Sequence, residues 1–144
     1  MSTTNLSPRQ YQIEASTHAI NENSIINIKT GGGKTLIGVM IINHYLSQPS
    51  PKKILFIVPS RALVQQQAEY CQKHCIANNK SSPSPNKTIR IAQLCGNEME
   101  SWSKSHWNQA INNHDIFVGT LLYARIPRCD ICYMDALLNI THEW

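Results

Sequence analysis

Apolar positions along the chain alternate between helical and strand-like rhythms. Ile13, Thr17 and Ile20 fall at i, i+4 and i+7, which predicts one face of a helix running to about Asn21. Ser7-Pro8 ahead of them reads as an N-cap followed by proline at the first helical position. Ser24–Lys29 (SIINIK) is a short β-rich run, and Thr30–Lys34 is a glycine loop. Leu36, Ile37, Val39, Met40, Ile41 and Ile42 follow without a polar gap, so this second helix should be buried nearly all round.

After the breakers Ser47–Pro51, Lys53–Pro59 (KILFIVP) is a continuous apolar run, as expected of a central parallel strand. Ser60 can cap a third helix whose apolar face is Leu63, Val64, Ala68, Cys71 and Cys75. Asn78–Lys87 reads as a polar loop, Ile89–Leu94 as a strand, Trp102–Ile111 as a helix and Asp115–Val118 as a short strand. Beyond Thr120 the pattern weakens, and Tyr133–Leu138 reads as helical. The alternation predicts α/β architecture with a mostly parallel sheet and helices on both faces.

At 144 residues the chain is one domain by the usual prior, and 42% hydrophobic with 15% charged residues fits a globular chain. A net charge of +4 and a pI near 8.9 are compatible with a polyanionic partner without demanding one. No window reaches the roughly 18 apolar residues of a membrane span, so no membrane partner is expected. The polar N-terminus lacks a secretory pattern, which implies a cytoplasmic or nuclear setting and reduced thiols.

The strongest chemical feature is Lys29-Thr-Gly-Gly-Gly-Lys-Thr35. A triphosphate packs several negative charges into a small volume. Successive glycines at 31, 32 and 33 let the backbone curl and turn its amides toward that charge, and the following helix adds its positive dipole end. Lys34 can reach the β- and γ-phosphates, and the Thr35 hydroxyl can ligate magnesium held by the nucleotide. The strict motif wants glycine five residues before Gly33, where this chain has Ile28; the relaxed Thr-Gly-x-Gly-Lys-Thr form holds.

With that loop placed, the surroundings resemble superfamily-two RNA helicases, most closely the helicase portion of Dicer-like proteins and innate RNA sensors. Leu6-Ser-Pro-Arg-Gln-Tyr-Gln12 is similar to the family's adenine-reading motif. The resemblance implies that Gln12 bonds the adenine edge and that Arg9 helps hold the base. Val58-Pro-Ser-Arg-Ala-Leu-Val-Gln-Gln-Gln67 resembles the first nucleic-acid-contacting motif, which assigns Ser60 and Arg61 to a phosphate of the strand. Ile91–Gly96, the Trp102…Trp107-Asn-Gln pattern and His114–Thr120 resemble the same family. They imply nucleic-acid contacts at Gly96, in a loop passing close to a strand, and at Thr120; the two tryptophans read as packing anchors.

The resemblance implies a RecA-like P-loop lobe over residues 6–144, incomplete in its last strands, behind a disordered tail at 1–5. Its expected ligands are ATP with Mg2+, and RNA, double-stranded, with DNA as the alternative. No two acidic residues are adjacent anywhere in the chain. The family's magnesium-holding Asp-Glu pair and its second lobe are therefore expected to lie in a longer product, leaving this chain inactive alone. Two alternatives stand beside the helicase lobe: a non-catalytic nucleotide- or RNA-binding module, and a small P-loop kinase. Cys71-x3-Cys75 with His74, and Cys129-x2-Cys132, also admit a zinc reading, although core packing explains Cys71 and Cys75.

Overall fold

The computed structural model describes residues 7–29, 31–48, 53–75, 88–96 and 101–120, together with the backbone of Met134–Asn139. Four helices and four strands follow in the order α1 (Gln10–Asn21), α2 (Lys34–Leu46), β1 (Lys53–Val58), α3 (Arg61–His74), β2 (Ile91–Leu94), α4 (Lys104–Asn113), β3 (Ile116–Thr120) and β4 (Met134–Asn139). The sheet order is β2-β3-β1-β4, and every pairing is parallel. β1 is the central strand that its unbroken apolar run predicts: Ile54–Val58 are all buried.

The strand faces sort the helices. Ile54, Phe56 and Val58 of β1 and Ile116 and Val118 of β3 pack with Val39, Ile42 and Leu46 of α2 and Val64, Ala68 and Cys71 of α3. The alternate residues Leu55, Ile57 and Phe117 meet Leu94 and, from α4, Trp107 and Ala110. Helices therefore cover both faces, as expected. Trp102 stacks edge-on against Trp107 with ring centroids 5.0 Å apart, so the two tryptophans do anchor that layer.

Several expectations need correction. α1 buries Gln12 and Ser16, whereas Ile13 is 40% exposed; the helix turns a polar stripe inward, toward the glycine loop, instead of its isoleucine face. It also begins later than Ser7-Pro8 suggests. Arg9 is the N-cap residue, because its N–H donates to Gln12 Oε1 at 2.8 Å. Ser24–Lys29 is not a strand. Its exposure alternates, with Ile26 and Ile28 half-buried and Ile25 fully exposed, but among the described residues no strand bonds to it. Met134–Asn139 is a strand and not a helix, since β1 offers it a ladder that outweighs local preference. The strand count among the described residues therefore stays at four, with Met134–Asn139 in place of Ser24–Lys29.

Where the three strands β1, β2 and β3 begin, one carboxylate ties them together. Asp115 is buried, accepts from the Arg90 N–H at 3.0 Å, and lies 3.4 Å from Arg90 Nη2 and 3.9 Å from Lys53 Nζ. Its own backbone joins the same edge, through Asp115 N–H to Arg90 O at 2.8 Å and Ile54 N–H to Asp115 O at 3.1 Å. Asp115→Ala should cost about 2–3 kcal/mol, in the lower part of the range for breaking buried charge contacts because Lys53 and Arg90 stay partly in water. Urea unfolding measures this; a change below about 0.5 kcal/mol, the size of an ordinary surface substitution, would refute the assignment.

Candidate nucleotide and nucleic-acid site

The glycine loop leads directly into α2, with Gly33 as N-cap in the left-handed region (φ 81°). Gly31 shares that conformation (φ 83°) but faces open space. A Cβ on Gly33 would lie 2.2 Å from Gln12 Nε2, so this position needs glycine both for its backbone and for its neighbour. A Cβ on Gly32 would lie 2.2 Å from Ile28 Cγ2. Ile28, the departure from the strict motif, therefore packs under Gly32 and fills the space that a bare loop leaves.

The loop amides divide into two sets. Gly32 N–H donates to Lys29 O at 2.9 Å and is used within the turn, contrary to the expectation that all three glycines face the ligand. The helix's first internal bond is Ile37 N–H to Gly33 O at 3.3 Å. Among the described residues, the amides of Gly33, Lys34, Thr35 and Leu36 have no protein acceptor. This is a donor set with a helix dipole behind it, and a polyphosphate fits it. Lys34 and Thr35 are half-buried beside it. For magnesium the Thr35 hydroxyl is a hard side-chain oxygen among the described residues there, which suits a cation that fills its shell with water and phosphate oxygens.

The base-reading residue of the sequence analysis is Gln12, and its amide is already engaged. Oε1 accepts from Arg9 N–H, while Nε2 lies 3.4 Å from Gly32 O and 3.3 Å from Gly33 O. Tyr11 donates its hydroxyl to Gly32 O at 2.5 Å. The Arg9 side chain is exposed. Thr30 lies outside the described residues.

The nucleic-acid candidates share the carboxyl edge of the sheet. Val58 and Thr120 are register partners at the ends of β1 and β3, and Ser60 and Arg61 follow Val58 within three residues. Ser60 is the N-cap of α3 but makes no side-chain cap bond; it and Arg61 are exposed. β2 ends at Leu94, opposite Gly119, and leads to Gly96 at the same edge. The reason given for Gly96 needs correction: a Cβ there would touch nothing within 4 Å, and glycine is required by φ 117° instead. The close approach is at Gly119, whose Cβ would lie 2.8 Å from that of Leu94; the sequence signal was a glycine inside a strand.

α2 brings the glycine loop to this edge as well. Asn43 Nδ2 reaches the His74 carbonyl at 3.5 Å, so the carboxyl ends of α2 and α3 lie together. α3 runs back from the Ser60 end of the sheet. Two helices of 13 and 14 residues, packed on one core with their last turns together, start at the same end. Ligands of open α/β sheets bind at this edge.

Residues 5–125 match the family described as type III restriction enzyme, res subunit, which is more than half of the chain. The chain belongs to that family. It is the N-terminal lobe of a superfamily-two helicase. Dicer homolog 2 of Arabidopsis thaliana is 33% identical over 116 residues, and Dicer of Danio rerio 28% over 116. Each alignment spans 78% of this chain but only 8% and 6% of those proteins, so this res-family lobe spans under a tenth of their length. In fold it matches the UvsW helicase of bacteriophage T4, with a TM-score of 0.70 at 23% identity, covering 96% of this chain and 44% of that one. The RecA-like expectation therefore holds.

Among the described residues no three His, Cys, Asp or Glu side chains gather, and Cys129 and Cys132 lie outside them. Cys71 and Cys75 are free thiols buried in the core. A hydrogen bond between them lowers the Cys71 pKa and, with burial, raises that of Cys75. No helix among the described residues is long and apolar enough to cross a membrane.

Gly33→Ala should destabilise the fold by at least about 1–2 kcal/mol, the cost of a left-handed alanine, and by more than Gly31→Ala. Thermal unfolding in a Gln12→Ala background should remove that surplus, because the clash is with Gln12. Equal costs for the two glycines would contradict the contact.

Proposed function

We propose that this lobe binds Mg·ATP through the amides of Gly33–Leu36 with Lys34 and Thr35, and grips a nucleic-acid backbone through Ser60, Arg61, Gly96 and Thr120. The observation that carries the reading is the set of unbonded loop amides at the start of α2, a helix that shares its core and its last turn with α3, which opens from the end of β1. Lys34 would reach the β- and γ-phosphates, and Thr35 would offer its hydroxyl to the metal. Bound magnesium would neutralise phosphate charge. The cation and the loop together would hold the triphosphate in a fixed pose.

Backbone contacts carry no base information, which suits a motor that must hold every nucleotide alike. The relatives named endoribonuclease Dicer favour RNA as the polymer, which we take to be double-stranded, with DNA as the alternative. We place this lobe in an ATP-dependent translocase whose acidic pair and second lobe come from additional chain.

A second reading, a nucleotide- or RNA-binding module without turnover, is favoured for the 144 residues themselves by the lack of any adjacent acidic pair. The small-kinase reading loses ground. Arg90 is bonded to Asp115 at the opposite edge, away from the loop.

Titration with Mg·ATP should saturate without measurable hydrolysis. Lys34→Ala should weaken uptake by about tenfold or more, as expected for losing a charge-assisted phosphate contact. Absence of saturable uptake would end the nucleotide reading, and turnover sensitive to Lys34→Ala would end the module reading. RNA and DNA duplexes compared over a salt series should show Arg61→Ala lowering the log–log salt slope by about one. An unchanged slope would remove Arg61 from the interface.

A further inference from the structure

The glycine loop is bonded to α1 at two successive carbonyls. The Tyr11 hydroxyl donates to Gly32 O at 2.5 Å, whereas Gln12 Nε2 sits 3.4 Å from that oxygen and 3.3 Å from Gly33 O. The tyrosine bond is the short one; the glutamine contacts lie at the outer limit of hydrogen bonding.

A peptide unit is planar and trans, so a carbonyl and the amide that follows it point in opposite directions. Holding Gly32 O against α1 therefore turns the Gly33 N–H away from α1, where it meets no protein acceptor. The other side of Gly32 is also fixed, by its N–H on Lys29 O. Three glycines in a row have no intrinsic preference for this arrangement. The bond from the neighbouring helix supplies the missing restraint.

We propose that Tyr11 is a positioning residue of the phosphate loop: its hydroxyl, by fixing the Gly32 carbonyl, keeps the Gly33 amide aimed at the polyphosphate before the ligand arrives. The proposal rests on the reading that this loop binds a nucleoside triphosphate. It assigns Tyr11 no contact with base or phosphate. Its effect should appear with every ligand that carries the phosphate chain, whatever the base.

The test compares wild type with Tyr11→Phe, which keeps the ring and removes the donor, using Mg·ATP, magnesium tripolyphosphate and adenosine as ligands. Tyr11→Phe should weaken ATP and tripolyphosphate by the same factor, about three- to tenfold, the worth of one hydrogen bond. Adenosine binding and the thermal midpoint should not change, and exchange of the Gly32 amide proton, bonded to Lys29 O in the free protein, should quicken as the loop loosens. Unaltered tripolyphosphate affinity, or a loss that includes adenosine or tracks a fall in midpoint, overturns the positioning role alone. If wild type takes up no tripolyphosphate, the phosphate-loop reading fails, and this inference fails with it.

Discussion

Parallel pairing on both sides of Lys53–Val58 is the constraint from which the rest of the molecule follows. A strand bonded in parallel to two neighbours delivers all their carboxyl ends to one edge and all their amino ends to the other. One end is thereby given to stability, and the other carries the candidate nucleic-acid residues. At the amino end, Asp115 gathers Lys53 and Arg90. At the carboxyl end the strands lead to the exposed Ser60 and the half-buried Gly96 and Thr120. Burial of Ile54–Val58 from both faces makes this division rigid, because shifting β1 by one residue would exchange the two apolar layers.

The glycine loop is a second, softer element placed on that frame. Its conformation depends little on apolar burial. It is held by Ile28 beneath Gly32, by the Lys29 carbonyl, and by Tyr11 and Gln12 from α1. This explains why α1 packs against α2 with a buried glutamine while Ile13 stays exposed. Its inward stripe is polar because what it must satisfy is a set of backbone carbonyls.

Much of this was legible in the residues. The run Lys-Ile-Leu-Phe-Ile-Val can only be a strand covered on both sides, and the glycine loop ahead of an apolar helix announces phosphate chemistry. What was hidden required a partner. Ser24–Lys29 has the composition of a strand but no ladder among the described residues, whereas Met134–Asn139 has an ambiguous pattern and does have one. Ile13 invited a helix face that Gln12 occupies instead, because periodicity counts apolar residues and not carbonyls awaiting donors. Gly96 and Gly119 look equivalent in sequence. Only packing distinguishes a glycine kept for its φ from one kept for the nearness of Leu94.

Gln12 has a limited stock of hydrogens. Its amide nitrogen lies 3.4 and 3.3 Å from the loop oxygens of Gly32 and Gly33, and Oε1 already receives Arg9 N–H. A purine edge that takes a proton from this side chain must take it from Gly32 or Gly33. If Gln12 reads the base, choice of base and tautness of the loop would be drawn from one reservoir, and a triphosphate bearing the wrong base would leave Gln12 where it is and find the loop unchanged. Discrimination by this protein would on that account surface as a difference in loop motion at least as much as in grip.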